Sequence, residues 1–252
     1  MVQKINIYIQ TNIHDPFRYC NGGFLGIIEY YAKVGDDGKE VMLKDPTTVS
    51  VKHTAIGMTS REAELEALIW SLGRLTKPCE LTIFTDDAFI ASALSNGWYK
   101  NWHDVGWIKA DGKEPVADKE WWERLYESLK NHTIKEIKAA GTHSYKSWMQ
   151  NELNGYKPTL QECLESLISS SCKSIEAIKR IAQPLEKSDI IQNSEVQKQL
   201  YNLILTCSYY MAENENEEIS GVVKIENGAD RIKSSYEEVE DSEKYSNLLA
   251  IT

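Results

Sequence analysis

Polar and apolar residues alternate through Gln3-Lys4-Ile5-Asn6-Ile7-Tyr8-Ile9, the period-two signature of a strand with one buried face. After Asn21-Gly22-Gly23, the run FLGIIEYYAKV predicts a second strand. Gly35-Asp36-Asp37-Gly38 then predicts a tight turn that returns into EVMLK as a hairpin. The period changes at Thr59 and Ser60, either of which can cap a helix that carries Glu62 in its first turn. Its apolar positions Ala63, Ala67, Trp70 and Leu72 carry it to Leu75, before Pro78. ELTIFT (80–85) predicts a short strand, and Asp87 starts a helix that runs through Leu94. A tryptophan-rich segment follows, then a helix from about Asp118 to Leu129, a strand over TIKEIKA and a short helix from Ser144 to Asn154. Three antiparallel-type strands, then helix, strand, helices, strand and helix describe a mixed α/β domain around one sheet.

Past Gly155-Tyr156-Lys157-Pro158 the strand pattern stops. Leu160, Cys163, Leu164, Leu167 and Ile168 share one helical face; Pro184 interrupts, and Ser194 can cap a second helix containing Val196, Leu200, Leu203, Ile204 and Cys207. The chain is thus expected to divide into an α/β domain over 1–154, a helical hairpin over 155–212 and an acidic tail over 213–252. The runs ENENEE and EEVEDSEK make that tail either a solvated, partly disordered segment or a docking element for a partner.

Charge alters the picture most. The net charge is −10, which argues against binding a polyanion through bulk electrostatics. Most of it sits late in the chain: residues 1–154 carry 18 Lys and Arg against 21 Asp and Glu, and 213–252 carry 4 against 11. The 252 residues allow one or two domains, with a mean hydropathy of −0.44 that fits a soluble globular protein. No apolar run approaches the ~20 residues of a membrane span, and MVQKINIYIQ has no signal-peptide core. Five cysteines without C-x-x-C spacing read as free thiols of a cytoplasmic protein and speak against zinc.

Two-metal hydrolysis of a phosphodiester requires carboxylates that converge from separate elements on a pair of hard cations. Glu64, in the first turn of a helix, and Asp86, at the end of TIFTD, suit that chemistry. Together NIYIQTN, NGGFLGII, TSREAELEALIWSL, LTIFTDD and WYKNWHDVGWIKADGKEPVADKEWWERL resemble, in order, the type 1 ribonuclease H family over about 60% of the chain.

The resemblance implies a ribonuclease H-like fold: a mixed five-stranded sheet flanked by helices, here with a C-terminal helical appendage. It implies four acidic positions that hold Mg²⁺ or Mn²⁺, and these fall at Gln10, Glu64, Asp86 and Asn151. Two are therefore neutral, and Gln10 stands where the carboxylate that bridges both metals is expected. Asp15, Asp87 and Glu152 are neighbours able to compensate. Asp15-Pro16 also reads as turn chemistry, Asp87 as a helix cap, and Glu152 as pointing about 100° away from Asn151. His143 resembles the family's flap histidine, and a surface role fits it equally.

Thr59, Ser60 and Arg61 match a phosphate-contacting region, and Lys109, Lys113 and Lys119 are what remains of the family's basic handle. The tryptophans at 98, 102, 107, 121 and 122 read chiefly as core and secondarily as stacking surfaces. The expected function is a catalytically inactive ribonuclease H-like protein that binds an RNA·DNA hybrid, structured RNA or, through 155–252, a protein partner. The alternatives are an active hybrid endoribonuclease with a rearranged site and an interaction protein without nucleic-acid binding.

Overall fold

The computed structural model describes residues 2–34, 40–139 and 143–159, with a few positions between 161 and 184. Five strands, β1 (Gln3–Thr11), β2 (Cys20–Val34), β3 (Glu40–Met58), β4 (Cys79–Thr85) and β5 (Thr133–Ala139), form one sheet in the order β3-β2-β1-β4-β5. β1 runs antiparallel to β2 and parallel to β4, and β4 runs parallel to β5. This is the expected mixed five-stranded sheet flanked by helices. β3 extends well past EVMLK and runs through Pro46, a residue that sheets accept on edge strands such as this one.

Alternation along β1 sorts its side chains between two layers. Tyr8 packs with Leu25, Ile27, Met149 and Leu153, so this face lies against α5 (Lys146–Leu153). Ile9 pairs with Gly26 on the opposite face, where α1 (Ser60–Leu72) approaches so closely that a Cβ on Gly26 would collide with the Ser71 hydroxyl. Thr59 caps α1 in a reciprocal capping box with Glu62. The helix ends at Gly73 rather than Leu75, and Arg74 and Leu75 continue only through i→i−3 bonds to Ser71 and Leu72. At the other end of the domain, α5 begins two residues later than expected, after a similar turn from Lys146 to His143.

The tryptophan-rich segment contains a helix the periodicity did not predict. α3 (Trp98–Asp104) lies between α2 (Ala88–Ser95) and α4 (Lys119–Leu129) and starts at Gly97, whose φ of 69° reverses the chain. Trp122 is fully buried and Trp107 nearly so, while Trp98 stays on the rim. Phe89, Trp98, Trp102 and Trp122 form one edge-to-face and stacked cluster. These rings chiefly build core, as their spacing suggests.

Packing divides the chain into two compact units, Met1–Arg18 with Gly22–Lys157, and Tyr19–Asn21 with Pro158–Thr252. The first unit ends three residues beyond the expected 154. Asn12 explains the extension, since its Nδ2 donates to the carbonyls of Leu153 and Tyr156 at 2.7 and 2.6 Å. In the second unit Gln161, Glu162 and Cys163 are helical. Glu165, Ser166, Arg180, Ile181, Gln183 and Pro184 are helical too, so Pro184 does not end helix where expected; the other positions of 160–212 and all of 213–252 lie outside the described residues. Among the described residues the cysteines are free thiols, and no helix is long and apolar enough to cross a membrane.

Candidate functional site

β1 and β4 are parallel neighbours whose last pair is Tyr8 with Phe84. Two residues farther along each strand stand Gln10 and Asp86, so the sheet register sets them side by side at one end. Glu64 arrives from α1 and Asn151 from α5, the two helices on opposite faces. The register therefore sets Gln10 beside Asp86, and Glu64 joins them through Thr85, the residue before Asp86, whereas Asn151 stays exposed on α5.

Glu64 is 7% exposed and accepts a 2.5 Å hydrogen bond from the Thr85 hydroxyl. Burial pushes its carboxyl up to about 7; the Thr85 hydroxyl and the Asp87 backbone N–H oppose the shift, and the charges of Asp87 and Asp86 reinforce it. Asp86 is exposed, and both its oxygens lie 3.2 Å from the Lys146 ammonium. Gln10 has a buried Oε1 with no hydrogen-bond partner among the described residues. Asn151 is exposed and makes no side-chain hydrogen bond among those residues. The same residues contain no cluster of three or more His, Cys, Asp or Glu arranged to hold a metal ion.

The neighbours able to compensate already have partners of their own. Asp15 accepts from the backbone N–H groups of Phe17 and Arg18, a turn-forming arrangement. Asp87 caps α2 through the N–H groups of Phe89 and Ile90 and pairs with Arg61 at 3.4 Å. Glu152 pairs with Lys52 at 3.2 Å. His143 is half-buried against Tyr8, with ring centroids 4.7 Å apart, rather than free on the surface. Desolvation lowers its pKa; nearby Asp86 opposes that shift and nearby Lys146 adds to it.

The expected phosphate contacts have mixed fates. The Thr59 hydroxyl oxygen accepts from the Glu62 N–H, and the Ser60 N–H donates to the Asp15 carbonyl. Arg61 lies 3.4 and 3.6 Å from Asp87 and Asp118, with its guanidinium 4.4 Å from the Phe89 ring centre. Lys109 pairs with Glu114 at 2.6 Å and Lys119 with Glu123 at 3.6 Å. Lys113 is exposed and has no acidic partner among the described residues. Pattern reading missed Thr85, although it directly precedes Asp86, and Lys146, which no local signal marks.

A mixed sheet ordered β3-β2-β1-β4-β5, with polar and acidic positions gathered where two parallel strands end, defines a ribonuclease H-like fold. The RNase H family model matches residues 29–154. A ribonuclease H from Clostridium botulinum (strain Hall) is 39% identical over 140 residues, covering 56% of this chain and 85% of that protein. A ribonuclease H from Thermoanaerobacter sp. (strain X514) is 32% identical over 101 residues, covering 40% of this chain and 64% of the relative. This chain belongs to the ribonuclease H family. Among solved structures, LC9-RNase H1, described as a type 1 RNase H with the type 2 active-site motif, is 14% identical with a TM-score of 0.49, covering 62% of this chain and 75% of that one.

Proposed function

We propose that this family member binds nucleic acid, an RNA·DNA hybrid or structured RNA, without cleaving it. The carrying observation is the donor set Gln10, Glu64, Asp86 and Asn151. Two members are neutral amides, burial pushes the Glu64 carboxyl up to about 7, and Asp86 is already paired with Lys146. Ligand charge sets much of a site's affinity for hard cations, so this set does not fit two of them. Binding through the few basic groups without acidic partners is expected to be weak and steeply salt-dependent. The free thiols accord with a cytoplasmic setting.

A second reading has a specific observation in its favour: the relatives are named ribonuclease H. In that reading the chain cuts hybrids with Mg²⁺ or Mn²⁺ after a neighbouring carboxylate compensates for Gln10. The hydrogen bonds and ion pairs of Asp15, Asp87 and Glu152 weigh against it. Fluorescence anisotropy with a labelled RNA·DNA hybrid, paired with a cleavage assay in Mg²⁺ and in Mn²⁺, tests the proposal. Binding without product is expected, and product formation that scales with enzyme overturns it. Failure to bind both hybrid and structured RNA would instead favour a protein partner, engaged through 155–252.

A further inference from the structure

Two features outside the four positions concern the site directly. The first is the Lys146 ammonium, equidistant from both Asp86 oxygens. The second lies one residue earlier. Tyr145, the residue that precedes α5, donates its hydroxyl to Glu29 at 2.6 Å. Glu29 is a β2 carboxylate, 3% exposed, and its other oxygen accepts from Asn6 Nδ2 at 2.7 Å and from the Tyr8 hydroxyl at 3.0 Å. The start of α5 is therefore pinned to the sheet by a buried, well-satisfied acceptor, and Lys146 is the next residue along the chain.

We propose that Lys146, positioned by the Tyr145–Glu29 tether, is the resident counter-cation of this site and makes nucleic-acid binding there independent of divalent metal. Its second half rests on the nucleic-acid reading above; its first half does not. The formal charges carry the argument. Gln10 and Asn151 contribute nothing, and Asp86 is cancelled by Lys146. Of the four positions only Glu64 remains, buried beside the Thr85 hydroxyl, and the neighbouring Asp87 is paired with Arg61. A pocket so near neutrality neither draws in a second or third positive charge nor strongly repels a phosphodiester.

The donor count points the same way. An ammonium has three N–H donors, so after bonding to Asp86 it keeps at least one for a phosphate oxygen. Both partners retain access for such a ligand, with side chains 26% and 42% exposed. Lys146 thus bridges carboxylate to phosphate, the role a divalent cation plays in two-metal sites. The tether distinguishes this pair from a casual surface contact, because 60 residues separate Asp86 from Lys146 and α5 must be held in place to align them.

The test uses the full chain in two measurements, Mn²⁺ binding by calorimetry without nucleic acid and anisotropy of a labelled RNA·DNA hybrid in EDTA or Mn²⁺. The unsubstituted chain is expected to bind Mn²⁺ no more tightly than roughly millimolar and to hold the hybrid equally well in both buffers. Lys146→Met, at a partly exposed position, should gain about tenfold or more in Mn²⁺ affinity. It should also lose hybrid affinity by about fivefold in EDTA, with recovery on adding Mn²⁺. Tyr145→Phe should move both readouts part of the way, and Lys146→Arg should leave them unchanged. Unaltered Mn²⁺ and hybrid binding in Lys146→Met overturns the proposal, as does tight Mn²⁺ binding by the unsubstituted chain. If the unsubstituted chain binds no hybrid, the nucleic-acid reading and the second half fall together. The Mn²⁺ measurement still decides the first half, with a gain in Lys146→Met supporting it and no gain overturning it.

Discussion

Two buried glutamates lie on opposite faces of one sheet, and the protein treats them differently. Glu29 gathers donors from Asn6, Tyr8 and Tyr145, and in return it pushes the Tyr145 hydroxyl, which burial already raises, up to about 12. Glu64 has the Thr85 hydroxyl and one backbone N–H but faces the charges of Asp87 and Asp86. A carboxylate that serves the fold is surrounded by partners. One kept beside like charges costs stability, and such groups mark sites selected for something other than stability. The contrast sets Glu64, left beside like charges, against Glu29, an anchor held by three donors.

The largest expected effect comes from restoring the missing charge. Gln10→Asp combined with Asn151→Asp should raise Mn²⁺-dependent hybrid cleavage by at least ~100-fold, measured with a labelled hybrid. If the double variant binds metal yet stays inert, the substrate-holding surface has diverged as well as the ligands.

On the anchoring side, Glu29→Ala leaves three donors without their acceptor. It should lower stability by about 4 kcal/mol in a urea titration. A loss below about 1 kcal/mol would mean that water replaces the carboxylate and that Glu29 anchors nothing.

Glu64→Gln should act in the opposite direction, and its pH dependence gives the sharper test. The folded-state pKa of Glu64 lies above its unfolded value, so the native protein holds the extra proton as pH rises from about 4.5 to about 7. Stability therefore falls across that window, and the cost is complete above it. The amide removes this cost while keeping an acceptor for Thr85. At pH 8 the variant should be more stable by up to about 3 kcal/mol, with little difference at pH 4. Equal stability of the two proteins at pH 8 would show that Glu64 carries no electrostatic strain.

The smallest effect is expected in the handle. Lys113→Ala should reduce the salt slope of hybrid binding by up to about 1, and Lys109→Ala by less because Glu114 already engages that ammonium. Identical slopes would show that pairing with Glu114 does not withhold Lys109 from phosphate.

The strands and most helices of the first unit were legible because their signals are local. Alternation in INIYI, the Thr59–Glu62 capping pair and the Asp87 cap each act within a few residues. The motif order pointed to Glu64 and Asp86, and the fold sets Glu64 against Thr85, the residue before Asp86. α3 escaped because its tryptophans follow no simple apolar stripe and its start depends on the left-handed conformation of Gly97. The domain end escaped for another reason, since Asn12 captures Leu153 and Tyr156 from more than 140 residues away.

What the sequence by itself determined is the five strands, most of the helices and the family resemblance. Only the tertiary structure decided the state of the site's side chains. Lys146 meets Asp86 across 60 residues and Tyr145 meets Glu29 across 116. Asp15 and Asp87 turn out to be committed to backbone N–H groups, and Glu152 to Lys52. The physical reason is that periodicity encodes which face a residue occupies, whereas charge and hydrogen bonding depend on what the opposing element brings to that face.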